Sequence, residues 1–308
     1  MNPLTFTTTR GKAKRVVDVP LPDADGMPLV DTHAHLDLLD NPALALARAA
    51  VAGLSHVMTI ADVAEDAART YNDLADWQAS AQLLLDEHAP LHASRPTPRV
   101  PEVGIIVGIH PHNARHFNAD TEAAIRAFAH DPRTRGMGEL GLDFHYDHSP
   151  RACQREVFAR SIALATELNL PITIHLREAH DEGLDILREV GVPPAGAILH
   201  CFNREYQVAE PFMALGCHVS FAGPVTFKRA DEVRDSAARV PADRLLVETD
   251  CPFMAPEPFR GHPCEPAYTL WNAATVAAAR REPLAHVARA TTTAALKLFG
   301  YAEAATVA

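Results

Sequence analysis

Eight short apolar runs, each followed by a stretch of helical character, constrain this chain more than any other feature. The runs are Leu29–His33, His56–Ile60, Ile105–Ile109, Arg135–Glu139, Ile172–His175, Ala197–His200, His218–Phe221 and Leu245–Val247. They are rich in Val, Ile and Leu and nearly unbroken in apolarity, the pattern of parallel strands buried on both faces. Between them, Asn41–Val51, Ala64–Leu85, Thr121–Ala129, Arg151–Leu168, Glu182–Glu189, Arg204–Leu215 and Asp231–Ala238 read as helices. A final helical region covers Ala267–Arg281 and then Leu284–Leu298. Prolines and glycines mark the joints, as at Leu170-Pro171 and Leu215-Gly216. Eight strand–helix units in series predict an α/β fold, the TIM (β/α)8 barrel, built as a single domain.

The length agrees, since 308 residues suit one barrel of ~250 residues with insertions. Two segments exceed the minimal barrel. Residues 1–28 form an N-terminal extension, expected to run extended through Val19-Pro20-Leu21-Pro22, with the barrel domain spanning 29–308. Residues 86–103 carry four prolines and read as a surface excursion. That excursion joins a helix to the next strand, so it belongs on the barrel face away from catalysis.

Six side chains able to bind a divalent cation stand at or just beyond the ends of these runs. They are His33 and His35 in LVDTHAHLD, Glu139 in RGMGELGLDF, His175 in LPITIHLREA, His200 in AGAILHCF and Asp250 in RLLVETDCPF. Any one of these histidines is ordinarily a core residue bonded to a backbone carbonyl. Five strand ends with the same chemistry are not explained that way, because a barrel gathers all its strand ends on one face. Imidazole and carboxylate donors suit Zn, Mn or Mg. Alternation about Ala34 turns His33 and His35 to one side. The expected arrangement is two divalent metal ions bridged by Glu139, one also held by His33, His35 and Asp250, the other by His175 and His200. Two such ions ~3.5–4 Å apart share a bridging hydroxide, a nucleophile at neutral pH.

Composition limits the partners. The net charge of −11 is the wrong sign for a protein that grips duplex nucleic acid through many phosphates. A nucleic-acid substrate would have to be held locally, which favours ends and single strands. Cys153, Cys201, Cys217, Cys251 and Cys264 form no CxxC pair and read as reduced thiols of a cytoplasmic protein. No segment has the length and apolarity of a signal-peptide core or a membrane span. Nothing in the sequence calls for an obligate protein partner.

The motifs LVDTHAHLD, VGIHPHNA, GMGELGLDF, LPITIHLREAHD, LHCF, GPVTFK, LLVETDCPF and RGHPCEP resemble those of the TatD-type metal-dependent hydrolases, the TatD DNases of the amidohydrolase-like superfamily. The resemblance runs in order from about Val30 to Phe299. It implies a two-metal TIM barrel with nuclease or phosphoesterase activity, and the same six ligands. It also places His110 against the substrate phosphate, with His112 beside it. Two departures stand out: Asn203-Arg204 follow the HCF motif where a small residue and Gly are usual, and Cys264 replaces an expected Asn.

Glu139, Asp250 and His110 are thus the expected catalytic residues, and His110, His112 and Arg177 the expected substrate contacts. Arg177, two residues past His175, could clamp a phosphate or pair with Glu178 or Asp181. Arg260 reads as a solvated side chain, Asp31 as structural, and Asp143 as a group that orients a ligand or caps a helix. The expected activity is hydrolysis of DNA ends or single strands. The alternative is an amidohydrolase or esterase, such as an aminoacyl-tRNA deacylase. A metal-binding protein without turnover has no physical need of all six ligands.

Overall fold

The computed structural model describes residues 2–10, 15–89 and 97–301 of the chain. The chain enters as an antiparallel hairpin of β1 (Thr7–Arg10) and β2 (Arg15–Asp18), with Thr7 opposite Asp18. Leu4, Phe6 and Val19 are buried in the main core, and the Phe6 ring lies 5.2 Å from Trp271 and 6.5 Å from Tyr268. The expected extended lead-in is therefore a hairpin pressed onto the barrel. Removing the Phe6 ring from water contributes about 1.5–3 kcal/mol.

Eight parallel strands follow: β3 (Leu29–Ala34), β4 (Leu54–Asp62), β5 (Glu102–Gly108), β6 (Thr134–Asp143), β7 (Ile172–Arg177), β8 (Ala197–Leu199), β9 (His218–Phe221) and β10 (Leu245–Val247). Each pairs with its sequence neighbour from β3 round to β10. The seam between β3 and β10 is closed just beyond β10 by a bridge between Ala34 and Cys251. There the Asp250 N–H donates to the His33 carbonyl at 2.9 Å, and the His35 N–H to the Cys251 carbonyl at 2.8 Å. The result is the single-domain TIM barrel that the strand pattern predicts.

Helices α1 (Pro42–Val51), α2 (Ala67–His88), α3 (Ala119–Ala129), α4 (Arg151–Leu168), α5 (His180–Val190), α6 (Tyr206–Ala214), α7 (Asp231–Arg239), α8 (Thr269–Arg280) and α9 (Leu284–Leu298) surround the sheet. Their starts follow local chemistry. Asn41 and Asp66 cap α1 and α2, and Asn118 with Thr121 forms a capping box at α3. Among the described residues no helix is long and apolar enough to cross a membrane.

Two packing details position the functional face. The inward side chains Val30, Met58, Ile60, Ile106, Ile198 and Leu246 form one cluster with Leu298 and Phe299 at the end of α9, so the barrel is filled with apolar side chains below its catalytic mouth. Register shifts then interrupt β3 between Asp31 and Ala34, and β6 between Met137 and Leu140. Such bulges re-aim side chains. Here they carry His33 and Glu139.

Many boundaries differ from expectation by a few residues, and three of them matter most here. Glu139 does not close its strand, because β6 continues to Asp143. His200 lies one residue beyond β8. The helix α2 runs to His88, into the proline-rich stretch. Residues 90–96 of that stretch lie outside the described residues. Thr97–Val100 line a cavity of about 680 Å³ with residues 21–24, 26–28 and 50–56, next to the start of β5 and away from the strand ends that carry the candidate ligands.

Candidate metal centre

The six expected ligands converge. His33 Nε2 lies 3.3 Å from His35 Nε2, 3.2 Å from Glu139 Oε2 and 3.8 Å from Asp250 Oδ1. His35 Nε2 lies 3.7 Å from Glu139 Oε2 and 3.6 Å from Asp250 Oδ1. The other carboxylate oxygen, Glu139 Oε1, sits 2.6 Å from His175 Nδ1 and 2.8 Å from His200 Nε2, which are 3.3 Å apart. Four donor atoms surround one point and three another, with one oxygen of Glu139 in each set. Ligands ~2.1 Å from a tetrahedral ion lie about 3.4 Å from one another, so both sets have the spacing of a site that could hold a divalent cation. Three overlapping groups of side chains lie close enough to hold a metal ion: His33, His35 and Glu139; His110, Glu139 and His175; and His33, His200 and Glu248. The second and third bring in His110 and Glu248, which are not among the six expected ligands.

The electrostatics follow from burial. His33 and Glu139 are buried and His200 nearly so. Burial would raise the Glu139 carboxyl, but the imidazoles of His200, His110 and His33 overcome it and hold Glu139 well below the usual range. Burial likewise opposes ionisation of Asp250, and a hydrogen bond with His35 outweighs it. Both carboxylates are therefore ionised and acceptor-only, as cation ligands must be. The backbone helps as well. Asp250 sits at φ 60°, held there by its bond to the His33 carbonyl. Gly141, at φ 145°, has no Cβ to collide with the His175 carbonyl oxygen, so β6 and β7 can lie close enough for Glu139 and His175 to touch.

Further carboxylates fix the imidazoles. Asp143 Oδ2 lies 3.2 Å from His175 Nε2 and 2.9 Å from His112 Nε2. Asp143 therefore orients two rings, and its N–H is fixed in turn by Gln154. It also accepts the N–H groups of His145 and Tyr146. His200 Nδ1 lies 3.2 Å from Glu248 Oε1. With an ion in place, the nitrogen of each ring facing Asp143 or Glu248 would carry the proton, and the nitrogen facing Glu139 would supply a lone pair.

Glu248 was not visible to sequence reasoning as a functional residue. It is fully buried, accepts the Cys201 N–H at 2.5 Å, and meets Thr32 Oγ1 at 3.3 Å. Its signal was available in VETD, where it precedes Asp250 by two residues just as His33 precedes His35. Asp62 was also missed. It accepts the His110 N–H at 3.0 Å and an Asn113 side-chain N–H at 3.0 Å, and so sets the loop after β5.

The remaining candidates fall on or near the same mouth. His110 Nε2 lies 3.6 Å from Glu139 Oε1. Burial lowers the His110 pKa to about 4, so the ring is neutral. Its Nδ1 accepts the His112 N–H at 3.1 Å, which puts the proton on Nε2, facing the centre. Arg177 pairs with neither Glu178 nor Asp181; its guanidinium lies 4.6 Å from the Tyr146 ring centroid, and Glu178 meets His145. Arg260 is exposed, as a solvated side chain would be, and its guanidinium also stacks over Phe227 at 3.7 Å. Asp31 is structural: it accepts the Thr249 N–H at 2.9 Å and the Thr249 hydroxyl at 2.5 Å across the barrel seam.

The family model described as "TatD related DNase" matches residues 30–300. The metal-dependent hydrolase YcfH of Escherichia coli is 34% identical over 88% of this chain and 95% of its own. The "3'-5' ssDNA/RNA exonuclease TatD" of a Rahnella species is 34% identical over 82% of this chain and 89% of its own. Among solved structures, the Escherichia coli TatD homolog YjjV superposes with a TM-score of 0.76 at 26% identity, covering 90% of this chain and all of the other.

Proposed function

The chain belongs to the TatD-related DNase family of metal-dependent hydrolases acting on ester bonds, and from that premise we propose that it is a two-metal phosphodiesterase that shortens single-stranded or frayed DNA from its ends. The observation that carries this reading is the division of the Glu139 carboxylate between two donor sets, Oε1 with His175 and His200 and Oε2 with His33, His35 and Asp250. The printed activity of the Rahnella relative supports the choice of single strands.

Divalent ions held in these sets, Mg, Mn or Zn, would lower the pKa of water towards about 7 and neutralise charge on a phosphoryl oxygen. The protein's own groups do the rest. Asp250, ionised and placed at the rim of its donor set, is positioned to take the proton of the attacking water. His110 Nε2–H donates to a non-bridging phosphate oxygen as negative charge builds there. His112, held by Asp143, and Arg177, facing outward beside Tyr146, contact the phosphates of the strand. Glu248 and Asp143 keep His200 and His175 in the tautomers this requires. The five cysteines, all free, accord with a reducing, cytoplasmic setting.

The test is a substrate panel with protein loaded in turn with each metal. We expect stepwise loss of nucleotides from single-stranded DNA, slower attack on blunt duplex, and weak activity on acyl and aminoacyl esters. Intact DNA alongside a cleaved aminoacyl ester would move the reading to an aminoacyl-tRNA deacylase or a related esterase.

A further inference from the structure

Resting on the phosphodiesterase reading, we propose that Tyr146 and Phe253 are two nucleobase-stacking platforms that flank the metal centre and supply much of its grip on a single strand. Both rings are half exposed, at 50% and 51%. Four of the seven large apolar side chains exposed among the described residues, Leu38, Tyr146, Phe253 and Met254, lie in loops that follow barrel strands at the catalytic mouth. Apolar surface gathered at one functional rim marks a binding surface more often than scattered exposure does.

The topology sets the two rings opposite each other. Tyr146 follows β6 and Phe253 follows β10, four strands away in either direction round an eight-stranded barrel. Each borders the donor cluster on its own side. Phe253 packs edge-on to His35 with ring centroids 6.0 Å apart. Tyr146 stands edge-on to His112 at 5.5 Å and parallel to His148 at 5.5 Å. Arg177 lies over the Tyr146 ring, so the guanidinium steadies the platform while its N–H edge remains able to meet a phosphate.

Charge explains why rings are needed. With a net charge of −11, the protein gains less from phosphate neutralisation than basic proteins do, beyond the few phosphate contacts at its mouth. Stacking on an aromatic face is insensitive to that deficit and accepts every base. Bases paired inside a duplex cannot reach such platforms, whereas those of a single strand or frayed end can. The site should therefore tolerate any base sequence and discriminate against missing bases.

The experiment measures binding of a short single strand containing 2-aminopurine, made uncleavable by phosphorothioate linkages, to the metal-loaded protein, compared with an abasic strand of equal length and linkage; cleavage of the ordinary phosphodiester strand is followed separately. The variants are Tyr146→Leu and Phe253→Leu, with Tyr146→Trp and Phe253→Trp as restoring controls, and metal content is checked in each. We expect quenching of 2-aminopurine by the wild-type protein and a rise in Kd of roughly 5- to 100-fold in each leucine variant. The tryptophan variants should recover both quenching and affinity, and the abasic strand should be indifferent to all four substitutions. Unchanged Kd and quenching in the leucine variants, no binding of single strands at all, or an equal loss for the abasic strand would overturn the proposal. Because binding is read without turnover, the two readings separate. DNA that is bound and quenched yet never cleaved sinks the phosphodiesterase reading, and DNA that is cleaved with ring-independent affinity sinks the platforms alone.

Discussion

The imidazole of His200 lies stacked on that of His33, with ring centroids 4.0 Å apart and planes 18° apart. The two residues come from strands three positions apart round the barrel. Each ring faces a different oxygen of Glu139: His200 Nε2 is 2.8 Å from Oε1, and His33 Nε2 is 3.2 Å from Oε2. The stack is thus the spacer between the two donor sets, and Glu139 is the link. Their pKa values also shift in opposite directions. Burial and the neighbouring His200 push the His33 pKa down. Burial opposes the charged form of His200 too, but Glu139 and Glu248 outweigh it and raise that ring well above its ordinary value.

Replacing Glu139 by Ala should therefore disable both donor sets at once. We expect metal content to fall and phosphodiester hydrolysis to drop by about 10³-fold or more, the scale of losing an essential catalytic group. Circular dichroism should remain that of the folded barrel, whose apolar filling lies below the site. Near-normal turnover at modest metal concentration would refute the bridging role. Asp250→Asn, which removes only the charge, should also be severe.

Glu248→Gln tests the carboxylate behind His200. The amide cannot accept the Cys201 N–H and the His200 Nδ1–H with the strength of a carboxylate. Loss of such a supporting group typically costs 10–100-fold in metal affinity. Titration with the metal, followed by calorimetry, reads this directly. Affinity equal to wild type would reduce Glu248 to a structural acceptor.

His110→Ala separates a substrate contact from a ligand. Its Nε2–H faces Glu139 but belongs to neither of the two donor sets, so metal content should stay near normal while turnover falls by about 10²-fold. If the variant loses a metal ion instead, His110 is a ligand and the substrate role assigned to it is wrong.

The pair formed by Glu265 and Arg48 predicts a pH dependence of stability. Burial pushes the Glu265 carboxyl up to about 7 from an ordinary 4.5, against the opposing pull of Arg48, whose Nε is 3.1 Å away. A folded value above the unfolded one means the native state retains a proton that the unfolded chain releases. The associated stability is complete below about pH 4.5, declines as pH rises towards 7, and is level beyond it. Glu265→Gln keeps the uncharged form throughout. Relative to wild type it should gain on the order of 1–3 kcal/mol between about pH 5 and pH 8. Denaturant titrations across that range measure the gain. A difference that does not change with pH would mean the carboxylate is ionised beside Arg48 over the whole range.

Much of the molecule was legible before any coordinates. Strand runs such as Ile172–His175 and His218–Phe221 keep close to their expected limits, and α4 and α9 keep theirs without change. These elements depend on side-chain period, caps and breakers within a few residues, which are properties of the sequence itself. The six ligand candidates were legible for a related reason. All but Glu139 are tied to a strand end by their place in the chain, and the barrel gathers strand ends on one face; Glu139 lies inside β6 and also needs the bulge that turns it inward.

What the sequence could not specify were relationships between residues distant in the chain. The bulges at Asp31–Ala34 and Met137–Leu140 are defined against partner strands β4 and β7. The run GMGEL gives no sign that Glu139 will be turned inward from the middle of a strand. Glu248 reads as one more polar residue near a loop until β8 brings His200 to its side, 48 residues away. Asp31 finds Thr249 only when the seam closes, 218 residues away. Phe6 looks like an apolar residue on a Thr-rich tail until α8 offers Trp271. The periodicities that build strands and helices are local, so the sequence by itself determined the elements and their order. Which donor meets which acceptor depends on register and closure of the whole sheet, and only the folded barrel decided that.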